Sequence, residues 1–186
     1  MKPPSSSENQ PSPKHKPGRR PRILQEIPIR SYFICTYVCR RAESGAEFLL
    51  LKRSGGYMRG VWQPVTGRIE RGEKAWETAL REVREETGLI PQTFYCTDLV
   101  QMFYNHTQDG INLVPVFLVW VDPNANVRLS DEHDDYRWLA AEPAKDMLTF
   151  IPQRQSVDDI IAGFVLRPGP NCLKMKIPDH YRRPIE

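Results

Sequence analysis

The chain has 186 residues, of which 40% are hydrophobic and 26% are charged, so it is long enough for one globular domain with short extensions. It contains no run of about 18 apolar residues, which argues against a membrane-spanning helix. The formal net charge of +3 is unevenly distributed: residues 1–22 carry +5, residues 23–166 carry −5 and residues 167–186 carry +3. This distribution indicates an acidic domain between two basic ends.

The N-terminal residues 1–26 are predicted to form a disordered basic tail. Six prolines and three consecutive serines stand among the first 22 residues, where Met1 is the only sizeable apolar side chain. Such a segment does not bury enough surface to offset the entropy lost on ordering it. We assign 27–166 to the globular domain and 167–186 to a basic C-terminal extension.

Strand-type runs of apolar and β-branched residues occur six times, and turn-forming residues join the first four into two predicted hairpins. The runs are Ile29–Cys39 with Glu47–Lys52, Thr93–Asn105 with Ile111–Val121, and shorter stretches at Val127–Leu129 and Tyr136–Leu139. The second hairpin contains the turn signal Asp109-Gly110.

Two amphipathic helices are predicted from apolar residues at helical spacing. The first covers Lys74–Thr87 and ends at Gly88, and the second is centred on 157–164. After Arg167 the sequence Pro-Gly-Pro is expected to end regular structure. The order of strands, helix, strands, helix predicts an α/β sandwich rather than a repeating βαβ unit.

The four cysteines, Cys35, Cys39, Cys96 and Cys172, form no C-x-x-C pair. We expect them to be small buried hydrophobic residues rather than disulfides or zinc ligands. This use of cysteine is typical of a protein in the reducing cytoplasm.

Three carboxylates share one edge of the first helix. At roughly 100° per residue, Glu82, Glu85 and Glu86 lie within an arc of about 100°. Like charges at this spacing destabilise a helix unless cations compensate them. Arg81 is placed to pair with Glu85, and Glu77 with Arg81. Two interpretations follow: a solvated, salt-bridged helix face, or a site for a hard divalent cation such as Mg²⁺.

The stretch from Gly67 to Leu89 resembles the Nudix box, G-x5-E-x7-R-E-U-x-E-E-x-G-U with U aliphatic, at every specified position. The probability of a chance match to this motif anywhere in the chain is on the order of 10⁻⁷. The strand order from about Ile27 to Val165 also resembles the Nudix α/β/α sandwich with a mixed sheet. By its sequence the chain is identified as a member of the Nudix family.

This resemblance implies a hydrolase that uses Mg²⁺, or alternatively Mn²⁺, to cleave a phosphoanhydride in a nucleoside diphosphate linked to another group. The implied metal ligands within the box are Glu82, Glu85, Glu86 and the Gly67 carbonyl. Glu82, or a residue outside the box, would assist deprotonation of the attacking water. The resemblance also implies that two further catalytic-site residues, Glu73 and Arg81, hold the loop against the helix.

The flanks of the box narrow the substrate class. The lead W-Q-P-V-T-G from Trp62 resembles the dihydroneopterin triphosphate and dATP pyrophosphohydrolase group, whereas the Ap4A and RNA 5′-end branch tends to W-x-x-P-x-G-G. Downstream, Ser130-Asp-Glu132-His133-x4-Trp138-Leu resembles an S/T-E-H-x4-W-L element of the same group. Its glutamate implies that Glu132 is a further metal ligand or base.

Four residues are candidates for substrate binding: Lys52, Arg53, Trp62 and Tyr104. A cationic side chain at the end of a strand ahead of the box can bind a phosphate. An aromatic ring can stack on a base or a pterin. The alternatives are solvated strand-end charges and core packing.

The sequence thus predicts a cytoplasmic pyrophosphohydrolase that converts a nucleoside or pterin triphosphate into a monophosphate and pyrophosphate. One alternative is a dinucleoside polyphosphate (Ap4A-type) hydrolase, because Tyr104 lies near the position of a tyrosine that marks those enzymes. Another is a non-catalytic Nudix module that binds a nucleotide, although such modules usually lose box glutamates. The expected partner is a small nucleotide, with no membrane and no stable nucleic-acid partner. The oligomeric state is left open, with a homodimer as one alternative.

Overall fold

The computed structural model describes residues 24–43, 45–56 and 58–183, so most of the predicted N-terminal tail lies outside the described residues. Within these ranges the chain forms nine strands and three α-helices. They are β1 (Ile29–Arg30), β2 (Phe33–Ala42), β3 (Gly45–Arg53), β4 (Trp62–Gln63), β5 (Val65–Arg68), α1 (Ala75–Thr87), β6 (Thr93–Asn105), β7 (Gly110–Trp120), β8 (His133–Leu139), α2 (Ala141–Met147), α3 (Ile151–Ile160) and β9 (Lys174–Met175). A π-helical stretch, Ile161–Val165, continues α3.

The nine strands form one mixed sheet whose main path runs β4-β3-β2-β7-β6-β9. The antiparallel partners β2 and β3 pair with each other only near their shared turn. Beyond that point β4 pairs with β3, and β5 pairs with β2. The chain that leads into α1 therefore lies between the two strands of the first hairpin.

The two faces of the sheet carry separate apolar cores. Successive side chains of a strand point to opposite faces. Leu50 of β3 accordingly packs with Val157 of α3 on one face. Its neighbours Leu49 and Leu51 pack with Leu80 of α1 on the other. The predicted α/β/α sandwich with a mixed sheet is confirmed.

The first helix has defined ends. The Lys74 N–H donates to Glu77 Oε2 at 2.8 Å at its start. Gly88 ends it in the left-handed region with φ 66°, where its N–H donates to the Arg84 carbonyl. The predicted helix is confirmed, but the predicted pair between Glu77 and Arg81 is wrong, because the Glu77 carboxylate caps the first turn.

Both predicted hairpins are present, as β2 with β3 and β6 with β7. The strand predicted at Val127–Leu129 is wrong, since this stretch extends without strand pairing. The N–H groups of Arg128 and Ser130 instead donate to the carbonyls of Thr87 and Glu86, the last residues of α1. The short helix α2 is an element that the apolar spacing did not predict.

Regular structure does not end at Arg167, so that prediction is wrong. Strand β9 pairs with β6, with Phe94 opposite Met175. Ile177 is buried in the core beneath α1. The Tyr181 hydroxyl then donates to the Glu77 carbonyl on α1 at 3.4 Å. The chain thus crosses from the sheet edge to the outer side of α1.

The four cysteines are free thiols. Cys35 and Cys39 are buried as predicted and Cys96 is partly buried, whereas Cys172 is exposed on a 3₁₀ turn, so the prediction is wrong for that residue. In the described part of the chain no helix is both long enough and apolar enough to cross a membrane.

Candidate active site

The end of β5 lies directly against the middle of α1. Gly67 pairs with Ile34 of β2, and a Cβ atom on Gly67 would collide with the side chain of Glu82. Only a glycine leaves room for that carboxylate. The backbone of Gly67 and the carboxylate of Glu82, which the sequence placed in one site, are therefore adjacent.

Arg81 connects the loop before α1 to three carboxylates. Its Nε and Nη2 donate to the two oxygens of Glu73 at 2.9 and 3.1 Å. Its Nη1 lies 2.8 Å from both Glu82 Oε1 and Glu85 Oε2. The hydrogen bonds from Arg81 lower the pKa of Glu73 to about 2. One guanidinium thus brings Glu73, Glu82 and Glu85 together and compensates their charge.

Glu86 is deeply buried, with only 4% of its surface exposed. Its Oε2 has no hydrogen-bond partner among the described residues. Burial raises the pKa of Glu86 to about 9, with smaller increases from the charges of Glu82, Glu132 and Glu85 and an opposing effect of Arg53. Such a carboxyl group is protonated near pH 7 unless a cation joins it.

The residues 130–132 lie between the C-terminal end of α1 and the end of β3. The Ser130 N–H donates to the Glu86 carbonyl at 3.3 Å, and the Ser54 N–H donates to the Glu132 carbonyl at 2.9 Å. Arg53 Nη2 lies 3.2 Å from Glu132 Oε2. The structure therefore brings Glu132, the predicted carboxylate outside the box, to the group around Glu86, together with Arg53.

His133 is a residue of this region to which the sequence assigned no role. It is 5% exposed, and neither ring nitrogen has a partner in the part of the chain that the structure describes. Burial, with a smaller effect of the Arg53 charge, lowers the pKa of His133. The available sequence signal was its position directly after Glu132 in the Ser-Asp-Glu-His stretch.

Two of the four predicted substrate-binding residues lie on the other face of the sheet. Lys52 precedes Arg53 on β3, so its side chain points away from α1. It pairs with Trp62 of β4, whose ring packs against the core beneath α2 and α3. Lys52 Nζ lies 3.6 Å from Asp134 Oδ1. Within the described residues, neither Lys52 nor Trp62 pairs with the carboxylates of α1 or with Glu132.

Tyr104 is also not brought to the carboxylates. It lies on β6, which β7 and β2 separate from β5, and successive strands are spaced by about 4.8 Å. It is 52% exposed, and its hydroxyl donates to Asp109 Oδ1 at 2.9 Å within the hairpin. Of the four predicted substrate-binding residues, only Arg53 contacts the site.

The carboxylates have the chemistry of a divalent-cation site. Within the described residues no three His, Cys, Asp or Glu side chains are arranged as a finished metal site, and arginines pair with Glu82 and Glu132. The donor set consists of hard oxygens, which suits Mg²⁺ or Mn²⁺. Burial raises the pKa of Glu82 as well as that of Glu86. The buried Glu86 fits a bound cation, because the cation's charge would compensate its carboxylate and those of its neighbours Glu82 and Glu132.

The profile of the NUDIX domain family matches residues 32–159, more than half of the chain. The chain belongs to the Nudix family. The matched range contains the whole box and also Glu132 and His133. The predicted family is therefore confirmed, and with it the kind of protein, a hydrolase of the Nudix type.

Individual relatives of this Nudix chain carry different names. It is 36% identical over 118 residues to mouse bis(5′-nucleosyl)-tetraphosphatase [asymmetrical], covering 62% of this chain and 79% of the relative. It is 31% identical over 120 residues to nucleoside triphosphatase NudI of Klebsiella pneumoniae, covering 60% of this chain and 85% of the relative. A Myxococcus xanthus protein named octanoyltransferase is 36% identical over 147 residues, but this chain spans only 38% of its length.

Among solved structures, the dihydroneopterin triphosphate pyrophosphohydrolase of E. coli superposes with a TM-score of 0.54 at 22% identity. The match covers 74% of this chain and 99% of that one. At this level of identity the comparison supports the Nudix fold.

Proposed function

We propose that this Nudix chain is a cytoplasmic, Mg²⁺-dependent pyrophosphohydrolase that cleaves a nucleoside or pterin triphosphate into a monophosphate and pyrophosphate. The observation that carries the proposal is the buried Glu86, whose pKa is raised by burial and further by the charges of the neighbouring carboxylates Glu82 and Glu132. The buried free thiols Cys35 and Cys39 are in keeping with a reducing compartment. A small nucleotide is the proposed partner.

In this proposal Glu82, Glu86, Glu132 and the Gly67 carbonyl hold the cation, with Glu85 at its exposed side. The cation would neutralise charge on the phosphates and lower the pKa of a bound water. Glu82 or Glu132 would accept the proton of the attacking water. Two observations support these roles: Arg81 holds Glu82 beside Glu85, and the charges of Glu82, Glu85 and Glu132 act on the buried Glu86.

Arg53 and Arg81 have different roles in this proposal. Arg53 Nη2 lies 3.2 Å from Glu132 Oε2, and the Arg53 side chain is 28% exposed. The guanidinium can therefore exchange this carboxylate for a substrate phosphate. Arg81 instead holds the loop before α1 against the helix through its ion pair with Glu73. Arg53 therefore binds substrate, whereas Arg81 positions the metal ligands.

The lead W-Q-P-V-T-G favours a triphosphate substrate through its resemblance to the triphosphate pyrophosphohydrolases. This lead is part of the sheet next to the site: Gln63 is buried, and its Nε2 donates to Thr66 Oγ1 at 3.2 Å. A dinucleoside polyphosphate hydrolase is the second candidate. The 36% identity to the mouse bis(5′-nucleosyl)-tetraphosphatase over 79% of that protein supports it.

A substrate panel separates the two candidates. The purified chain is incubated with Mg²⁺ and with nucleoside triphosphates, deoxynucleoside triphosphates, dihydroneopterin triphosphate or diadenosine tetraphosphate. Release of pyrophosphate with a monophosphate supports the first candidate. Turnover of diadenosine tetraphosphate to ATP and AMP, without turnover of any triphosphate, supports the second. A chain that turns over neither class contradicts both.

Replacement of Glu86 by Gln tests the metal site within the same assay. The variant keeps the shape of the side chain but lacks the charge, so we expect kcat to fall on the order of 10³-fold. Glu70→Gln is the matched control, since Glu70 is an exposed glutamate in the loop of the same box. Equal activity of Glu86→Gln and the wild type would contradict the assignment of Glu86 as a ligand.

A further inference from the structure

Unpartnered buried polar atoms are concentrated beside Glu86. Seven buried side-chain nitrogen or oxygen atoms of the described residues lack a hydrogen-bond partner, and four of them belong to Glu86, Ser130 and His133. Main-chain hydrogen bonds link these three residues: the Ser130 N–H donates to the Glu86 carbonyl at 3.3 Å and the His133 N–H to the Ser130 carbonyl at 3.2 Å. An orphaned buried polar group is costly, so such a concentration requires an explanation.

A β-bulge turns His133 toward α1. The pairing of β3 with β8 shifts at Asp134, which has no partner on β3, so that His133 lies opposite Arg53. Arg53 alternates with Leu51 and therefore has its side chain on the face that α1 covers. Side chains of directly opposed residues share a face. Without the extra residue the alternation would place His133 on the other face.

The four unpartnered atoms are chemically complementary. A neutral imidazole has one N–H donor and one acceptor nitrogen, and a serine hydroxyl is a donor. A carboxylate that ligates a metal with one oxygen is normally held by a hydrogen bond to the other. A single chain of hydrogen bonds, which the structure itself does not contain, would satisfy all four atoms: from Ser130 Oγ to one nitrogen of His133, and from the other nitrogen to Glu86 Oε2.

We propose that His133 is a positioning residue of the metal site, which donates a hydrogen bond to Glu86 Oε2 and accepts one from Ser130 Oγ when a divalent cation is bound. This inference rests on the proposed metal-dependent function. The hydrogen bond fixes the rotation of the buried carboxylate and leaves Oε1 directed at the cation. His133 thus acts on metal affinity through Glu86 and does not itself contact the substrate.

Binding of Mn²⁺ alone, without nucleotide, tests this role. The free Mn²⁺ signal in electron paramagnetic resonance is titrated with the wild-type chain and with His133→Leu. We expect the variant to bind Mn²⁺ about 10- to 100-fold more weakly, as is typical when a partner of a metal ligand is lost. Gln153→Leu is the matched control, because Gln153 Oε1 is also buried without a hydrogen-bond partner among the described residues, but α3 packs on the opposite face of the sheet. The control should bind Mn²⁺ like the wild type.

Conservative variants distinguish positioning from packing. His133→Asn and His133→Gln each retain an N–H donor near the place of one ring nitrogen. At least one of them should restore Mn²⁺ affinity to within about threefold of the wild type. In an assay with nucleotide, His133→Leu should raise the Mg²⁺ concentration needed for half-maximal rate and leave KM at saturating Mg²⁺ unchanged. Wild-type Mn²⁺ affinity in a folded His133→Leu, or no rescue by either amide, overturns the proposal.

Ser130→Ala keeps the proposal testable if His133→Leu does not fold. As a single substitution, Ser130→Ala should weaken Mn²⁺ binding by about threefold to tenfold. Where His133→Leu does fold, adding Ser130→Ala to it should have no further effect. Unchanged affinity in the wild-type background overturns the proposal. Because the readout is metal binding, the expected Mn²⁺ pattern in a chain that hydrolyses no triphosphate would support this inference and refute only the proposed reaction.

Discussion

The Arg81 guanidinium donates to both carboxylate oxygens of Glu73, from Nε at 2.9 Å and from Nη2 at 3.1 Å. The Glu73 side chain is only 14% exposed and the Arg81 side chain 21%. Glu73 Oε2 also accepts hydrogen bonds from the Thr78 hydroxyl at 2.7 Å and the Glu70 N–H at 3.2 Å. The Glu73 carboxylate therefore joins the box loop to α1, together with the hydrogen bond from Arg81 Nη2 to the Arg68 carbonyl at 3.2 Å.

Glu73→Gln should lower the free energy of unfolding by about 2 kcal/mol, because an amide replaces a charged acceptor of these hydrogen bonds. Displacement of the loop should also reduce kcat by about 10²-fold. The urea midpoint and the steady-state rate measure the two effects at pH 7. The exposed Glu70→Gln should change the stability by less than about 0.5 kcal/mol. An unchanged urea midpoint for Glu73→Gln would contradict the role of this carboxylate.

The raised pKa of Glu86 makes the stability of the metal-free chain depend on pH. The pKa of Glu86 is 4.5, the ordinary value, in the unfolded chain and about 9 in the folded chain. Between these pH values the unfolded chain therefore holds fewer protons. The contribution of Glu86 to stability therefore falls as the pH rises from about 5 to about 9. Denaturation by urea in EDTA should show this decrease for the wild type. Glu86→Gln should lose less stability over the same range, and equal slopes would contradict the raised pKa.

The same carboxyl group should release a proton when a cation binds. Because burial raises the pKa of Glu86 to about 9, we expect this carboxyl group to be mostly protonated at about pH 7.5. A metal ligand must be ionised, so Mn²⁺ binding should release about one proton. Calorimetric titration in two buffers of different ionisation enthalpy measures this number. Between pH 6 and 8 the affinity for Mn²⁺ should also increase with pH. Binding without proton release would show that Glu86 is already ionised.

The fold was predictable because its main signals are local. The helix over 75–87 and the hairpin at Asp109 follow from apolar spacing and turn residues close in sequence. The stretch Val127–Leu129 has a strand-type composition, but its hydrogen bonds go to the end of α1, which is more than 35 residues earlier in the chain. The burial of Ile177 depends on a similarly distant core. Contacts of this kind are not visible in a local pattern.

The site residues were predictable where a motif fixes their spacing. They were not predictable where the face of the sheet on which a side chain lies determines whether it reaches the site. Glu82 and Glu86 follow from the box. Lys52 and Arg53 are adjacent in sequence and equally basic, yet only Arg53 points toward α1, because side chains alternate along a strand. His133 faces α1 through a bulge, which shifts the alternation by one residue and is not visible in the local pattern of apolar and polar residues.

Gly67→Ala tests the close approach of β5 to α1. The added methyl group would collide with the Glu82 side chain, which must then rotate away from the Gly67 carbonyl. We expect kcat to fall at least about 10²-fold while most of the stability is retained. Gly163→Ala is the control, because its Cβ would meet nothing within 4 Å. If Gly67→Ala has the activity of the wild type, the carboxylate of Glu82 is not needed in its present place.

Ile177→Ala tests whether the C-terminal segment belongs to the folded domain. Ile177 is 1% exposed and packs in the core that α1 shares with the sheet. Loss of its side chain should lower the free energy of unfolding by about 3 kcal/mol. Leu166→Ala is the matched control, since Leu166 is 79% exposed and should change stability by less than about 0.5 kcal/mol. Equal urea midpoints of the two variants would show that residues beyond 167 are an independent extension rather than part of the core.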